Sequence, residues 1–592
     1  MDAEPFYLST RCAGLACLFH PVADPKKTPV LICGPWGWDE VATYRVRRRW
    51  AEHLAAIGHP TLRFDLPAVG DSSGSPADPD LVEAWIEAVT TAAAWLAGAT
   101  CRETICGLGL GLGGLLMRAA IERDAAIDGL ATWAAPTAGK SFVREARAFA
   151  RLQTRSEAEV EDRSLPDGWL DVGGFNLSAA TVAELKALDP SGTGRLRRAL
   201  LLGRDGVAAD AALVERLESA SVEVNTGPGS GWGTMVVDAR LAALPVETIA
   251  SFDAWLAAAP PSAPAPPAPA EFQPTLRLDT AEGSIRERPI TFDLTFGRAF
   301  GILGEADAPA AGPCAVFLNS GNVRHIGPNR LWVEAARRWV AETGLPALRL
   351  DLEAIGEADG PESKEALFAE DVGELYIPPF LAQIHTVLDS LDLAGIGSTF
   401  VLTGLCVGSY WAFEAAVRDP RVVSAVLLNP GALTWDDDLL ADRAARGARL
   451  AARRTMTRDW WGRLLRGGVD LRTLWPHLMS LLRRIFRSPR EGRQPSGEGD
   501  RIGLVEAGLN DLRERGTPIV LAFSGDEVMK EDLDEAGFAD RADQWPQLRL
   551  MDLPGSDHTL RSPSAQAAVH SIFATEIQRV GRSRAAQIGR QR

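Results

Sequence analysis

The sequence predicts a tandem pair of α/β domains, each a mostly parallel sheet flanked by helices, with helical lid insertions ahead of the last strands. Three observations predict it. Short apolar runs alternate twice along the chain with longer helical patterns, and strands that are apolar throughout belong to a parallel sheet covered on both faces. Thr61–Gly74 (TLRFDLPAVGDSSG) and Ala347–Gly360 (ALRLDLEAIGEADG) agree at seven of fourteen positions without a gap. Between them, residues 259–272 form a Pro/Ala-rich stretch that reads as a semi-rigid linker.

In the first part, Val30–Cys33, Pro60–Asp65 and Thr104–Gly107 read as buried strands. Arg45–Ala56, Leu81–Ala97 and Leu112–Glu122 carry helical spacing. The second part repeats this with strands Ala315–Asn319, Pro346–Leu350 and Phe400–Gly404. Its helices are Leu331–Thr343, Phe380–Leu391 and Tyr410–Val417. Two shorter echoes keep the same order: Ile105–Gly114 with Leu402–Ser409, and Pro228–Trp232 with Pro554–His558. Three echoes in one order argue for a duplicated domain. The expected division is 1–258, the linker 259–272, then 273–580 and a basic tail 581–592. Both insertions, about 138–196 and 430–512, read as helical, where a lid would cover an active site.

Composition narrows the function. The 592 residues allow two or three domains. With 46% hydrophobic and 24% charged residues, wholesale disorder, collagen and coiled coil are excluded. A net charge of −16 argues against broad affinity for nucleic acid. Seven cysteines without a CxxC pair make no disulfide framework. Eight histidines and no HExxH or EF-hand loop leave no metal or cofactor expected. No apolar leader follows Met1–Asp2–Ala3–Glu4, and no run approaches the ~18 apolar residues of a membrane span, so a cytoplasmic protein is expected.

The chemistry-bearing motif follows the strand at Phe400–Thr403. Gly404-Leu405-Cys406-Val407-Gly408 runs into a helical pattern. A Gly-x-nucleophile-x-Gly turn between strand and helix puts the central residue at positive φ, and the glycines flank it because a Cβ there would clash. The helix start behind it favours negative charge.

This pattern resembles the α/β-hydrolase superfamily, and the family's order of nucleophile, acid and histidine recurs. The resemblance implies a triad of Cys406, His558 and Asp526, the acid following the strand Pro518–Phe523 and the histidine following Leu548–Leu553. Glu527 is the second choice of acid, one residue past the usual position. It implies an oxyanion hole of the Val407 N–H and a second N–H from Gly321 or Asn322. The Gly-x-Cys-x-Gly turn is similar to that of polyhydroxyalkanoate synthases. Gly404-Leu405-Cys406 with Leu427-Leu428-Asn429-Pro430 is similar to hydrolases of bacterial exopolysaccharide and exosortase-associated loci.

The first part has lost this triad. Its elbow reads Gly107-Leu108-Gly109-Leu110-Gly111-Leu112-Gly113-Gly114, with Gly109 or Gly111 at the nucleophile position. Asp205 takes the acid slot and Trp232 the histidine slot. Cys33, Cys106 and Cys314 lie in or beside apolar strands and are expected in the core.

A cysteine nucleophile forms a thioester acyl-enzyme that exchanges readily with a thioester donor. The expected activity is therefore an acyltransferase in bacterial specialised metabolism, working through a cysteinyl thioester. It would move an acyl group from an acyl-carrier protein or CoA to a small-molecule acceptor. A thioesterase or esterase, and a non-catalytic scaffold, are the alternatives. Fourteen arginines between 443 and 493, interleaved with Trp460 and Trp461, suggest a basic lid that receives an acidic carrier or CoA phosphates. Arg324, His325 and Arg330 are candidates for binding a substrate carboxylate.

Overall fold

The computed structural model describes residues 3–11, 13–23, 27–156, 165–236, 243–259, 262–266, 271–361, 372–435, 498–525, 527–555 and 557–591. The N-terminal sheet contains β1 (Glu4–Ser9), β2 (Gly14–His20), β3 (Val30–Cys33), β4 (Thr61–Phe64), β5 (Ile105–Leu110), β6 (Ile127–Trp133), β7 (Arg198–Leu202) and β8 (Glu223–Gly227). Their spatial order is β1-β2-β4-β3-β5-β6-β7-β8. The C-terminal sheet contains β9 (Leu276–Asp279), β10 (Ser284–Leu294), β11 (Gly297–Ala306), β12 (Cys314–Phe317), β13 (Ala347–Asp351), β14 (Phe400–Leu405), β15 (Val422–Leu428), β16 (Ile519–Phe523) and β17 (Leu548–Asp552). Their order is β9-β10-β11-β13-β12-β14-β15-β16-β17. In each sheet an antiparallel edge leads into six parallel strands.

The central parallel strands are buried on both faces, as their apolar runs require: every residue of β3, β4, β5, β12, β13, β14 and β16 is buried, whereas the edge strands β8 and β17 are partly exposed. The helices that cover them include α1 (Trp38–Ala56), α2 (Leu81–Ala99) and α3 (Leu112–Glu122), and in the second half α4 (Leu331–Thr343), α5 (Pro378–Leu393) and α6 (Val407–Arg418). On one side of the N-terminal sheet Trp50, Trp133 and Trp232 form an edge-to-face chain, with ring centroids 6.1 and 5.2 Å apart. Among the described residues no helix is long and apolar enough to cross a membrane.

The first insertion is not wholly helical. Helices Gly139–Ser156 and Ala179–Ala187 bracket an antiparallel hairpin, Leu170–Val172 with Phe175–Leu177. Its turn is Gly173-Gly174, both at positive φ, which only glycine adopts without strain. Of the second insertion, residues 436–497 lie outside the described residues, and with them Trp460, Trp461 and the arginines from 443 to 493. The described part of the Pro/Ala stretch is pinned to the N-terminal half: Ala265 N donates to Cys101 O at 2.9 Å, and the Thr104 and Ser262 hydroxyls are 2.9 Å apart.

The two halves meet reciprocally. Arg63 at the end of β4 forms a two-pronged ion pair with Glu357, both bonds 3.0 Å. Its counterpart Arg349 on β13 bonds Asp71, the counterpart of Glu357. Arg48 donates to the carbonyls of Gly356 and Ala358, and Arg330 to those of Gly70 and Ser72. The repeated motif is thus an interface motif: each half presents the loop after its second parallel strand to arginines of the other, an isologous contact within one chain. Burial alone would raise the Glu357 pKa, but Arg63 and Arg48 outweigh it and hold it at about 2.

Candidate active site

Strand β14 ends at Leu405, and Cys406 turns the chain into α6 with φ 59° and ψ −119°. The strain at a non-glycine residue is held by its surroundings. Cys406 N donates to Leu428 O at 3.1 Å, and Ser409 Oγ donates to Gly404 O and Leu428 O, both at 2.8 Å. A Cβ on Gly404 would overlap the Gly408 backbone, and one on Gly408 would overlap the Asn319 carbonyl. Both glycines are therefore dictated by close backbone approach. Cys406 itself is partly exposed.

His558 stands beside it. Its Nδ1 is 2.9 Å from both carboxylate oxygens of Glu527, which leaves Nε2 for the Cys406 sulfur, with which the ring is hydrogen-bonded. Burial pulls the imidazole pKa down. The Cys406 sulfur and the Glu527 carboxylate outweigh that and hold it well above its ordinary value. The His558 side chain is part-buried, and its ring stands against Cys406 and Glu527.

The carboxylate on His558 is Glu527, where the sequence reading preferred Asp526; Asp526 lies outside the described residues. The reason lies in the turn after β16. Ser524 is locked to Asn429: its N–H donates to Asn429 Oδ1 at 2.7 Å, and Asn429 Nδ2 donates to Ser524 Oγ at 2.8 Å. Gly525 N donates to Gly555 O at 2.9 Å, and Glu527 then precedes the helix Val528–Glu535, its side chain only 10% exposed.

Asn429 was missed as a functional candidate. Besides Ser524 it bonds the His558 carbonyl at 3.0 Å, tying the acid turn to the histidine loop. Its φ is 41°, a conformation that asparagine tolerates better than most residues. The visible signal was an Asn-Pro pair at the end of an apolar strand. Asp557 clamps the same loop by accepting from Arg561 N at 2.6 Å and Arg561 Nε at 3.0 Å.

Val407 is the first residue of α6, where helix N–H groups have no partner in the helix. Across from it the chain leaves β12 through Asn319–Val323. Ser320 Oγ donates to Leu405 O at 3.4 Å, Gly321 has φ 58° with open space beside its Cα, and Asn322 Oδ1 is buried without a partner among the described residues.

Arg324, His325 and Arg330 do not line this site. All three are buried in the seam between the halves. Arg324 lies 4.0 Å over the Tyr44 ring and bonds Asp65, Glu40 and Asp71 at 3.1–3.3 Å. His325 bridges Asp71 and Asp351, and Arg330 serves carbonyls of the 70–74 loop. A sequence cannot show that a charged loop faces another domain.

The N-terminal half resolves its own ambiguity. Leu110 pairs with Trp133 as Leu405 pairs with Leu428, so Gly111 stands where Cys406 does, at φ 53° and ψ −125°. A Cβ there would lie 3.0 Å from Pro35 Cβ and 3.5 Å from the Trp232 ring. Asp205 accepts from the N–H groups of Gly231, Trp232 and Gly233 at 2.6, 3.2 and 2.5 Å, so it is occupied as a backbone cap. Cys33, Cys106 and Cys314 are core residues; burial pushes the Cys33 thiol up to about 12. Among the described residues no His, Cys, Asp or Glu cluster is arranged to hold a metal ion.

Strand order, elbow and late-strand loops together decide the architecture. Each half has the α/β-hydrolase fold. No protein-family model and no curated protein matches the chain. Solved structures do. A complex of DcsB with its substrate analogue is 16% identical, covers 43% of this chain and 98% of its own, with a TM-score of 0.32. Est1E from Butyrivibrio proteoclasticus with ferulic acid is 17% identical over 43% of this chain and 99% of its own, with a TM-score of 0.30. Dienelactone hydrolase from Anabaena variabilis is 14% identical over 50% of this chain and 98% of its own, with a TM-score of 0.31.

Proposed function

We propose that the C-terminal half is an acyltransferase that works through a cysteinyl thioester, with an acyl-carrier protein or CoA thioester as donor and a small-molecule nucleophile as acceptor. The observation that supports it is the hydrogen-bonded series Cys406, His558 and Glu527 at a strained turn heading a helix.

In this reading His558 takes the thiol proton and Glu527 steadies the imidazolium. The Cys406 sulfur attacks the donor carbonyl carbon, a C–S bond forms, and the carbonyl π pair moves to oxygen. The N–H of Val407 and one from Gly321 or Asn322 receive that charge. Collapse breaks the bond to the donor sulfur, which leaves with the proton from His558. The acceptor then gives a proton to His558, attacks the thioester and expels the Cys406 thiolate. With water as acceptor the same steps make a thioesterase, the second reading. The donor class rests on the basic stretch at 443–493.

Intact-protein mass after incubation with a panel of acyl thioesters, wild type against Cys406→Ala, tests the reading. An adduct on wild type alone is expected, and added amines or alcohols discharging it faster than water distinguish transfer from hydrolysis. No adduct and no turnover with any donor leaves a binding or scaffold protein.

A further inference from the structure

The seam between the halves does not stop at the seam. Asp71, in the half without a triad, places one carboxylate oxygen 2.7 Å from His325 Nε2. The other face of that ring, Nδ1, is 2.6 Å from Asp351 Oδ2, and His325 N donates to Asp351 Oδ1 at 2.6 Å. Asp351 Oδ1 accepts from Asn319 Nδ2 at 2.8 Å. Asn319 is the residue whose carbonyl lies against Gly408, and its Oδ1 and Nδ2 also hold Leu352 N and Val323 O. Every member of this chain is buried: Asp71 5% exposed, His325 1%, Asp351 and Asn319 0%. Asn319 opens the loop that faces Val407, so a carboxylate of one half is three side chains from the turn beside Cys406 in the other.

The reverse connection is built from other residues: Arg324 reaches Glu40, and Glu40 pairs with Arg47 at 2.6 Å. Gly34 replaces Asn319 in the N-terminal half, and the space where its side chain would be is filled by Arg47, 2.6 Å from a Cβ placed there. Asp65, the counterpart of Asp351, bonds Arg324 instead. Only the C-terminal half carries the Asp–His–Asp–Asn series into the loop facing its elbow.

We propose that Asp71 is a positioning residue for acylation of Cys406: through His325, Asp351 and Asn319, the N-terminal half holds the loop of residues 319–323 in the geometry that receives the oxyanion. This deepens the acyl-transfer reading and rests on it. A loop out of place by about 1 Å lowers a rate by up to about 100-fold without touching the nucleophile.

Two reactions of the same sulfur separate the roles. Acyl-enzyme formation from an acyl thioester builds an oxyanion, whereas alkylation by iodoacetamide displaces iodide and builds none. Asp71→Asn is expected to slow acylation roughly 10- to 100-fold with alkylation changed less than about 2-fold. Deuterium uptake should rise in the peptide covering 318–326. Arg48→Gln, which weakens the same seam without touching the chain of four, should leave the ratio of the two rates as in wild type. If Asp71→Asn does not fold, Asp71→Glu keeps the charge beside Arg349 and should shift the ratio in the same direction. Equal effects of the Asp71 and Arg48 variants, or unchanged exchange at 318–326, overturn the proposal. A wild type that forms no acyl adduct defeats the acyl-transfer reading instead, and the exchange measurement still decides whether Asp71 holds the loop.

Discussion

Trp232 stands before Gly111 as His558 stands before Cys406. Each lies three residues past a positive-φ glycine, Gly229 or Gly555, on the loop after the last strand of its half. The indole packs against Trp133 and comes within 3.5 Å of where a Gly111 side chain would begin. The triad position of the N-terminal half has become part of its core. Gly111→Cys is therefore expected to lower stability by about 1–3 kcal/mol through crowding against Pro35 and a strained φ. It should gain no acyl adduct. Thermal unfolding and intact mass of the variant check both statements.

The identity of the acid is directly testable. Glu527→Gln keeps the shape but removes the charge on His558, and should slow acyl-adduct formation by roughly 10²–10⁴-fold. Asp526→Asn should stay within about 3-fold. Single-turnover mass spectrometry of the two variants side by side would reverse the assignment if Asp526→Asn were the slow one.

Asn429 joins the acid turn to the histidine loop, and its counterpart Ala134, also at positive φ, has no such side chain. Asn429→Ala should cost about 1–3 kcal/mol in urea unfolding, because Ser524 and the His558 carbonyl lose buried partners. Asn429→Gly relieves the backbone strain at φ 41° and should recover part of that stability but none of the acylation rate. Recovery of both would show that only the backbone conformation matters.

His558 keeps its proton well above the usual imidazole range because the Cys406 sulfur and Glu527 face it. The attraction is mutual, so proton transfer from the Cys406 thiol to His558 is favoured. Iodoacetamide alkylation of Cys406 should then inflect well below the ordinary thiol value of about 8.5. In Glu527→Gln the inflection should move up toward it. An inflection near 8.5 in wild type would mean that the pair is not ionised.

The seam carries its own pH dependence. His325 faces Asp71 and Asp351 along its ring edge, Arg324 and Arg349 share the Asp71 carboxylate, and Phe300 packs on the ring. Burial lowers its pKa, but the two carboxylates outweigh that and raise it to about 9. A raised histidine stabilises the fold fully below its unfolded value of about 6.5 and ceases to do so as pH rises through about 9. Wild type should lose roughly 2–3 kcal/mol more between pH 6.5 and 10 than His325→Gln. Parallel urea curves for the two proteins across that range would rule this out.

Much was readable because it depends on neighbours close in sequence. Strands buried on both faces must be apolar throughout, so β3 and the helices α3 and α4 were delimited to the residue. The elbow is a local clash problem, solved by glycines two positions either side of Cys406. The antiparallel edges β1–β2 and β9–β11 went unread: although they pair with neighbours close in sequence, they alternate buried and exposed residues too weakly for the period to stand out. Glu527 meets His558 at the end of a turn held by Asn429 and Gly555, roughly 30 to 100 residues away, which one position of sequence spacing cannot convey.

The amino-acid sequence by itself determined two repeated α/β-hydrolase folds, a cysteine at one elbow and a glycine at the other, because period, glycine sterics and chain order act locally. Only the tertiary structure decided that the repeated Arg-x-Asp motif is a reciprocal interface, that Arg324, His325 and Arg330 serve it, and that Glu527 reaches His558. A charged side chain is expensive to bury without a partner, and which partner it finds depends on surfaces that meet only after both halves have folded.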